Sequence, residues 1–414
     1  MNILYQLSIQ IYTLIIRIAA IFNPKAKLWI SGRKDIFEKL EQKLAGNTHP
    51  LIWLHCASLG EFEQGRPIIE SLKEQLPETR ILLTFFSPSG YEVRKNYAEA
   101  DYIFYLPADT IGNAKRFIKI VNPKAVIFVK YEFWFNYIQQ LSKRDIPIII
   151  VSAIFRPTQH FFKSYGGWFR KGLAKINHFY VQTEESATLL QSIDINQVTI
   201  SGDTRFDRVA AIAAQCKSFP LIEQFKGDHK IFLAGSSWPA DEVLINTLYQ
   251  EKLNLKYIIA PHEVHEEHIK AIEKQFSGAT LRYSQANTAN ISQAEVLIID
   301  SIGILSHLYQ YAYIAYIGGA FGKGLHNILE AATFGKPVIF GPNYEKFKEA
   351  KDLIANGGAF CIHNAEELIK QTSQLLSNEQ VYHEASQQCL TYVNSMKGAT
   401  QLIVAAIKKL NLKK

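Results

Sequence analysis

Short apolar runs alternate with stretches whose apolar positions recur every three to four residues. The runs are LIWLHCAS (51–58), ILLTFFS (81–87), YIFYLP (102–107), AVIFV (125–129), IPIIIVSA (146–153), HFYVQT (178–183) and QVTISGD (197–203). They are continuous rather than alternating, as in strands covered on both faces. Segments between them, such as 65–76 and 111–121, read as helices. From Phe206 to about Lys230 the pattern turns helical and irregular, with Pro220 and Gly227 as breakers. A second series then begins: KIFLAGS (230–236), KYIIAP (256–261), ATLRYS (279–284), EVLIID (295–300), IAYIGG (314–319), PVIFGP (337–342) and GAFCI (358–362). This pattern predicts an α/β chain of two doubly wound, Rossmann-like domains, with ligands at the carboxyl ends of the strands in a cleft between the domains. A length of 414 residues suits two cores. The last segment, 396–412, reads as an amphipathic basic helix.

The stretch before the first strand has a different character. Residues 3–22 are largely apolar, about long enough as a helix for ~30 Å of hydrocarbon, yet Gln6, Gln10 and Arg17 interrupt them. No small-residue cleavage site comes after them. Lys25, Lys27, Arg33 and Lys34 come next and would hold the adjoining domain on the cytoplasmic face of a membrane. A membrane-anchoring helix, spanning or interfacial, is therefore expected; the plainer reading is a buried first helix. The net charge of +7 suits an anionic partner such as a phospholipid surface or a nucleotide and is too scattered to argue for nucleic acid. Cys56, Cys216, Cys361 and Cys389 lie far apart, which suggests neither a zinc site nor a disulfide framework. APHEVHEEH (260–268) carries three histidines without the HExxH spacing, so no metal is expected there. The run FRPTQHFFKSYGGWFRK (155–171) mixes aromatics with Arg156, Lys163, Arg170 and Lys171 and reads as a membrane-facing patch, or else as an amphipathic helix with aromatic core contacts.

Candidate chemistry clusters just after strands. Ser58-Leu59-Gly60-Glu61 comes after the first strand and opens a helix; Glu61 is either a cleft-edge carboxylate or simply a first-turn acid that suits the helix dipole. Glu132 lies among Tyr131, Phe133 and Trp134, where a carboxylate needs a partner or a raised pKa. Arg205 offers a fixed positive charge, or a salt bridge to Asp203 or Asp207. In the second half, AGSSWP (234–239) is a small-residue turn whose N–H groups and Ser236 and Ser237 hydroxyls suit a phosphate. GGAFGKGLHNILEAATFGKPVIFGP (318–342) has a glycine-rich loop, an expected helix start at His326-Asn327, and Glu330 one turn in. That order suits a phosphate at the helix start and a ribose diol at the carboxylate, and it is not the GxGxxG dinucleotide fingerprint.

The glycine loop with its His, Asn and Glu resembles the nucleotide-sugar site of GT-B glycosyltransferases. Together with the SLGE loop at 58–61, KYEFW at 130–134, GDTRFD at 202–207, IDSIG at 299–303 and GLHNILEAA at 324–332, it makes the chain similar to 3-deoxy-D-manno-octulosonate (Kdo) transferases of lipopolysaccharide biosynthesis. The resemblance implies a GT-B fold: an N-terminal membrane anchor at 1–32, an acceptor domain at 33–212, a donor domain at 213–395, and a C-terminal helix at 396–414 returning to the first domain. It implies CMP-Kdo as donor, the lipid A precursor (lipid IVA) as acceptor, no cofactor or metal, and a site at the cytoplasmic face of a bacterial inner membrane. Glu61 matches the family's general base, acting on the acceptor's 6′-hydroxyl with inversion; Glu132 and Arg205 match positions that stabilise the transition state. Pro261, His262, Ile302, Gly303, Ile304, Gly319, Asn327, Ile328, Leu329 and Glu330 match segments that hold CMP, alongside Ser236 and Ser237. Ser58, Gly60, Arg156, Arg170 and Lys171 are expected on the acceptor and membrane side. Two positions depart from the family: His262 stands where an arginine is usual, and Ile304 where a glutamate is usual. Another GT-B sugar-nucleotide enzyme, a UDP-sugar transferase or epimerase, is the alternative; a membrane protein that binds a nucleotide without catalysis is a second.

Overall fold

The computed structural model describes residues 2–276, 278–322 and 324–410. Two compact units result: one runs to Asp207 and resumes at Lys397, the other is Arg208–Met396. The first holds a seven-stranded parallel sheet of β1 (Leu51–Cys56), β2 (Arg80–Phe85), β3 (Tyr102–Tyr105), β4 (Ala125–Val129), β5 (Ile148–Ala153), β6 (His178–Val181) and β7 (Val198–Ile200), in the order β3-β2-β1-β4-β5-β6-β7. The second holds β8 (Lys230–Ser237), β9 (Leu255–Pro261), β10 (Thr280–Arg282), β11 (Val296–Ile298), β12 (Ile314–Ile317), β13 (Val338–Phe340) and β14 (Ala359–Cys361), in the order β10-β11-β9-β8-β12-β13-β14. Each apolar run of the sequence contains one of these strands.

The continuous apolar character of β1 comes from its two buried faces. Successive side chains point to opposite sides of a strand. Trp53 accordingly joins a core layer with Phe117, Phe128 and Tyr137. Its neighbours Ile52 and Leu54 join the layer on the other side, with Ile68, Leu72 and Ile127. That second layer is completed from the far end of the chain: the helix Ala399–Lys408 contributes Ile403, Val404 and Ile407. Its start is fixed by Asp207, whose carboxylate accepts the backbone N–H of Gly398 at 2.6 Å and of Thr400 at 2.7 Å. Asp207 thus acts as a helix cap.

The N-terminal helix Asn2–Ala19 lies on the first unit with Tyr5 and Gln6 turned inward. Gln6 Nε2 donates to Asn136 Oδ1 at 2.7 Å, and Tyr5 packs on Phe135 and Trp168. The outward face is largely apolar: Leu4, Leu7, Ile11, Leu14, Ile15 and Ile18 are exposed, with Ser8, Gln10 and Arg17 among them. Among the described residues no helix is long and apolar enough to cross a membrane. The aromatic run 155–171 departs from its expected role as a membrane-facing patch. Phe155 and Phe161 are buried in the core, and Phe162 and Phe169 pack against it. Trp168 packs on Phe135, and of the large hydrophobic side chains in the run only Tyr165 is exposed. The reason is the crowd of partners the fold supplies: Phe133, Phe135 and Phe179 meet this segment ring to ring.

Tyr5 also donates its hydroxyl to Asp109 Oδ2 at 2.5 Å, and the backbone N–H groups of Asn136 and Tyr137 reach the same carboxylate at 3.1 and 3.0 Å. Burial nevertheless pushes the Asp109 pKa up to about 6. A carboxyl raised in the folded state holds its proton more tightly there than in the unfolded chain. The stability it contributes is full below the ordinary aspartate value of about 4 and is lost as the pH rises through about 6. Asp109→Asn should therefore flatten the pH dependence of the urea midpoint across that window. A slope equal to that of the unchanged protein would contradict this.

Candidate functional site

In each sheet the chain begins in the middle and builds outward in both directions. The strand order reverses between β1 and β4 in the first unit and between β8 and β12 in the second. Loops leaving the carboxyl ends of such a strand pair diverge and leave a crevice. The loop after β1 ends at Ser58 and passes into the helix whose first turn carries Gly60 and Glu61; the loop after β4 carries Tyr131 and Glu132. Both carboxylates lie close enough to the buried Cys56 to hold its thiol pKa up, after burial itself.

Glu61 sits in the first turn of the helix Leu59–Gln75. Ser58, at the N-cap, makes no side-chain cap; its hydroxyl donates to Glu61 Oε2 instead. The pair orients this carboxylate, which is half-buried. Tyr131 is its neighbour: Glu61 raises the Tyr131 pKa and Arg156 lowers it, both less than burial does. The Arg156 guanidinium lies 6.0 Å from the Tyr131 ring centroid. Thus Glu61, Tyr131, Glu132 and Arg156 are gathered on one edge, whereas Arg170 and Lys171 lie on the separate helix Gly167–Leu173.

Glu132 is buried, at 7% exposure, and its Oε2 is fully engaged. Trp134 Nε1 donates to it at 2.5 Å, and His55 Nε2 lies at 3.1 Å. Behind His55 stands Thr84, 2.8 Å from Nδ1, and Trp53 Nε1 donates to the Thr84 oxygen at 2.7 Å. The indole N–H of Trp53 donates to the Thr84 oxygen, and the two ring nitrogens of His55 join Thr84 to Glu132, so the four side chains form one continuous chain of polar contacts. The backbone before Glu132 is unusual: Lys130 has φ of +70°, a left-handed conformation that costs a non-glycine residue about 1–3 kcal/mol. His55 and Thr84 are register partners on β1 and β2. They are the polar members of otherwise apolar strands, and that was the signal in the sequence that could have exposed them.

Arg205 is drawn to the same helix as Glu61 through Asp203. Its Nε donates to Asp203 Oδ2 at 2.9 Å, and Gln64 Nε2 donates to the same oxygen at 2.9 Å. Arg205 holds the Asp203 pKa down against burial. Thr204 adds a 2.5 Å hydrogen bond to the Gln64 carbonyl.

In the second unit Ser236 and Ser237 end β8, Pro261 ends β9, and Gly318-Gly319 come directly after β12. His262 N donates to the Ser237 carbonyl at 2.9 Å. Only glycine fits at 318, where a Cβ would lie 2.4 Å from the Ser236 carbonyl oxygen. Gly319, at φ +94°, donates its N–H to Asp241 Oδ2 at 2.9 Å, which also accepts from Trp238 N at 2.9 Å. Burial pushes the Asp241 pKa up while these donors and Tyr316 pull against it. The expected phosphate role of the Ser237 hydroxyl does not hold: it is buried and donates to Glu242, which in turn meets the buried His268 at 3.0 Å.

Three rings stack beside this turn. Trp238 lies over His262 at 4.9 Å, and His262 over His326 at 4.3 Å. Trp238 Nε1 donates to His326 Nε2 at 3.1 Å, so the His326 proton resides on Nδ1. Burial, with His262 adding to it, pulls the His326 pKa down to about 4. Asn327 Nδ2 donates to Glu330 Oε1 at 3.1 Å, and Glu330 helps raise the pKa of Tyr309, packed against Gly235 of β8. The helix expected to start at His326-Asn327 begins later, as the four-residue Leu329–Ala332, with Ile328 at its cap. Asn327 explains the delay: its Oδ1 takes the N–H of Leu329 at 3.2 Å, a local turn that competes with helix. Ile302, Gly303 and Ile304 form a turn after β11, with Gly303 at φ +99°. Lys323, in the glycine-rich loop, lies outside the described residues. Asp241, which helps hold this site together, carries no motif of its own in the sequence, and Trp238 stood unremarked within AGSSWP.

The family model for 3-deoxy-D-manno-octulosonic-acid transferase (kdotransferase) matches residues 34–208. A 3-deoxy-D-manno-octulosonic acid transferase of Aquifex aeolicus is 31% identical over 339 residues, 80% of this chain and 87% of that one. The Bordetella pertussis protein of the same name is 26% identical over 438 residues, covering 96% and 98%. Among solved structures, the UDP-GlcNAc 2-epimerase of Neisseria meningitidis bound to UDP-GlcNAc superposes with a TM-score of 0.61 at 15% identity, covering 87% of this chain and 100% of that one. A glycosyltransferase of Rickettsia africae gives 0.58 at 15% identity, covering 89% and 100%. At such identities the structural likeness speaks for the fold alone.

Replacing His55 with leucine should leave Thr84 and Glu132 each short of a partner. The expected cost is about 1–3 kcal/mol of stability, read as a lower urea midpoint at unchanged slope. An unchanged midpoint would show that the chain of donors contributes nothing.

Proposed function

The chain belongs to the 3-deoxy-D-manno-octulosonic-acid (Kdo) transferase family of glycosyltransferases, and we propose that it transfers Kdo from CMP-Kdo to the lipid A precursor at the cytoplasmic face of a bacterial inner membrane. The first unit supplies the base and acceptor side; the second holds the donor. The acceptor 6′-hydroxyl oxygen attacks the anomeric carbon of Kdo as its bond to the CMP phosphate breaks. The electron pair of that bond leaves with CMP, the hydroxyl proton goes to Glu61, and the centre inverts. One displacement needs one base and a stabilised leaving group; the scheme calls on no metal or organic cofactor.

The observation that carries this reading is the position of Glu61. It stands at a strand-order reversal, held by the Ser58 hydroxyl, beside Tyr131 and Arg156. Glu132 differs from it in kind. Its Oε2 is committed to His55 and Trp134, which suits a fixed charge facing an oxocarbenium-like centre better than a proton carrier. Arg205, paired with Asp203, supplies a positive charge on the same helix-linked edge. On the donor side, the backbone around Ser236 and Gly319 and the His326 Nδ1–H offer donors to the CMP phosphate, and Asn327 with Glu330 suits the ribose. His262 enters the site as a stacked ring, not as the guanidinium fork of an arginine. The exposed apolar face of the helix Asn2–Ala19 supports attachment in the membrane interface.

Glu61→Gln should retain CMP binding and lose roughly 10²–10⁴-fold in transfer, with product masses read after incubation with CMP-Kdo and lipid A precursor. Transfer by the variant at the unchanged rate would remove Glu61 from the role of base. No product from the unchanged protein would remove the donor and acceptor assignment.

A further inference from the structure

The first unit holds another recess that takes no part in this scheme. It is a cavity of about 660 Å³ under the N-terminal helices, with Thr13, Arg17, Lys27, Trp29, Arg33 and Lys34 in its lining. Its size is that of a small-ligand site. Two acids, Asp35 and Glu38, also line it, but Glu38 is already paired with Arg116 at 3.1 Å. Arg33 is the most confined of the cations. Its Nε donates to the Leu106 carbonyl at 2.8 Å, Nη1 to that of Trp29 at 3.0 Å and Nη2 to that of Phe86 at 2.7 Å. Three neutral carbonyls hold its protons while no carboxylate among the described residues balances its charge. The Trp29 ring lies 3.8 Å from that guanidinium.

Trp29 supplies the second, independent observation. It is 5% exposed, and its indole N–H is buried without an acceptor. An indole nitrogen can only donate, and folded proteins seldom leave such a donor unpaired. The cavity therefore offers positive charge, and its wall holds a tryptophan whose buried N–H has no acceptor; together these suit an anionic oxygen that the indole reaches by a small side-chain shift. Alongside runs the apolar outer face of Asn2–Ala19, continued by Ile21 and Phe22, which are 73% and 85% exposed. A ligand that meets both needs is an amphiphile with an anionic head.

We propose that this cavity receives the phosphate headgroup of an anionic glycerophospholipid whose acyl chains lie along the exposed face of Asn2–Ala19. The proposal rests on the interfacial reading of that helix and not on the transfer chemistry. The lipid would fix how deep and at what angle the helix lies, because a headgroup phosphate sits at a defined level of the membrane.

The test uses the full chain with 15N-labelled tryptophan, whose five indole signals include one identified as Trp29 by its loss in Trp29→Phe. Dihexanoyl phosphatidylglycerol, kept below its micelle concentration, is titrated in; dihexanoyl phosphatidylcholine and inorganic phosphate are titrated separately. Phosphatidylglycerol should move the Trp29 indole proton downfield. Lys27→Gln with Lys34→Gln should raise the concentration needed roughly tenfold at unchanged unfolding midpoint. An unmoved Trp29 signal overturns the proposal. So does an equal response to phosphatidylcholine, which would mean apolar partitioning, or an equal response to inorganic phosphate, which would mean a simple anion site. Cosedimentation with phosphatidylglycerol vesicles reads the attachment of the helix by itself, so loss of attachment and loss of the headgroup site are told apart.

Discussion

Reversal of strand order is the constraint on which the rest of this structure depends. A parallel strand must be reached by a crossover of fixed hand, so a sheet built outward from its middle puts the crossovers of its two halves on opposite faces. The gap this leaves lies between β1 and β4 in one unit and between β8 and β12 in the other. Residues far apart in sequence meet there because no other part of the sheet leaves room. Glu61 and Glu132 share one such gap, and Ser236 and Gly319 the other. Glycine at 318 is what lets two strand ends approach closely enough to close the second site.

The acids of the two sites are held by two different means. Glu132 and Asp241 are buried and satisfied by donors: indole and imidazole N–H for one, backbone N–H and a tyrosine hydroxyl for the other. Such groups are hard to disturb and therefore well placed. Glu61 keeps solvent access and an orienting hydroxyl from Ser58.

The N-terminal helix divides its roles in a similar way. Its inner side commits polar groups to Asp109 and Asn136, and Asp109 also caps the helix Phe135–Ser142 that comes directly after Glu132 and Trp134. Tyr12 packs on Phe86, and Phe86 on Trp134. The segment that carries the exposed apolar face is therefore bonded into the framework behind the Glu132 loop.

The fourteen strands and the alternation of helices were legible in the sequence, because doubly covered strands must be apolar throughout and their period is local. The motif loops at 58–61 and 324–332 were legible too, since glycine and small residues mark where backbone must turn sharply, and 130–134 stood out as a carboxylate among aromatics. What remained hidden was relational. The Trp53, Thr84, His55 and Glu132 chain needs β1 beside both β2 and β4. The Trp238, His262 and His326 stack needs three separate loops. The aromatic run 155–171 looks like a surface patch until Phe133, Phe135 and Phe179 arrive to bury it, and the helix after Asn327 starts late because a side chain takes its first N–H. The sequence by itself determined which segments would be strands and which turns would bend; only the tertiary structure decided which polar groups found partners, because hydrogen bonds and burial depend on neighbours brought from elsewhere in the chain.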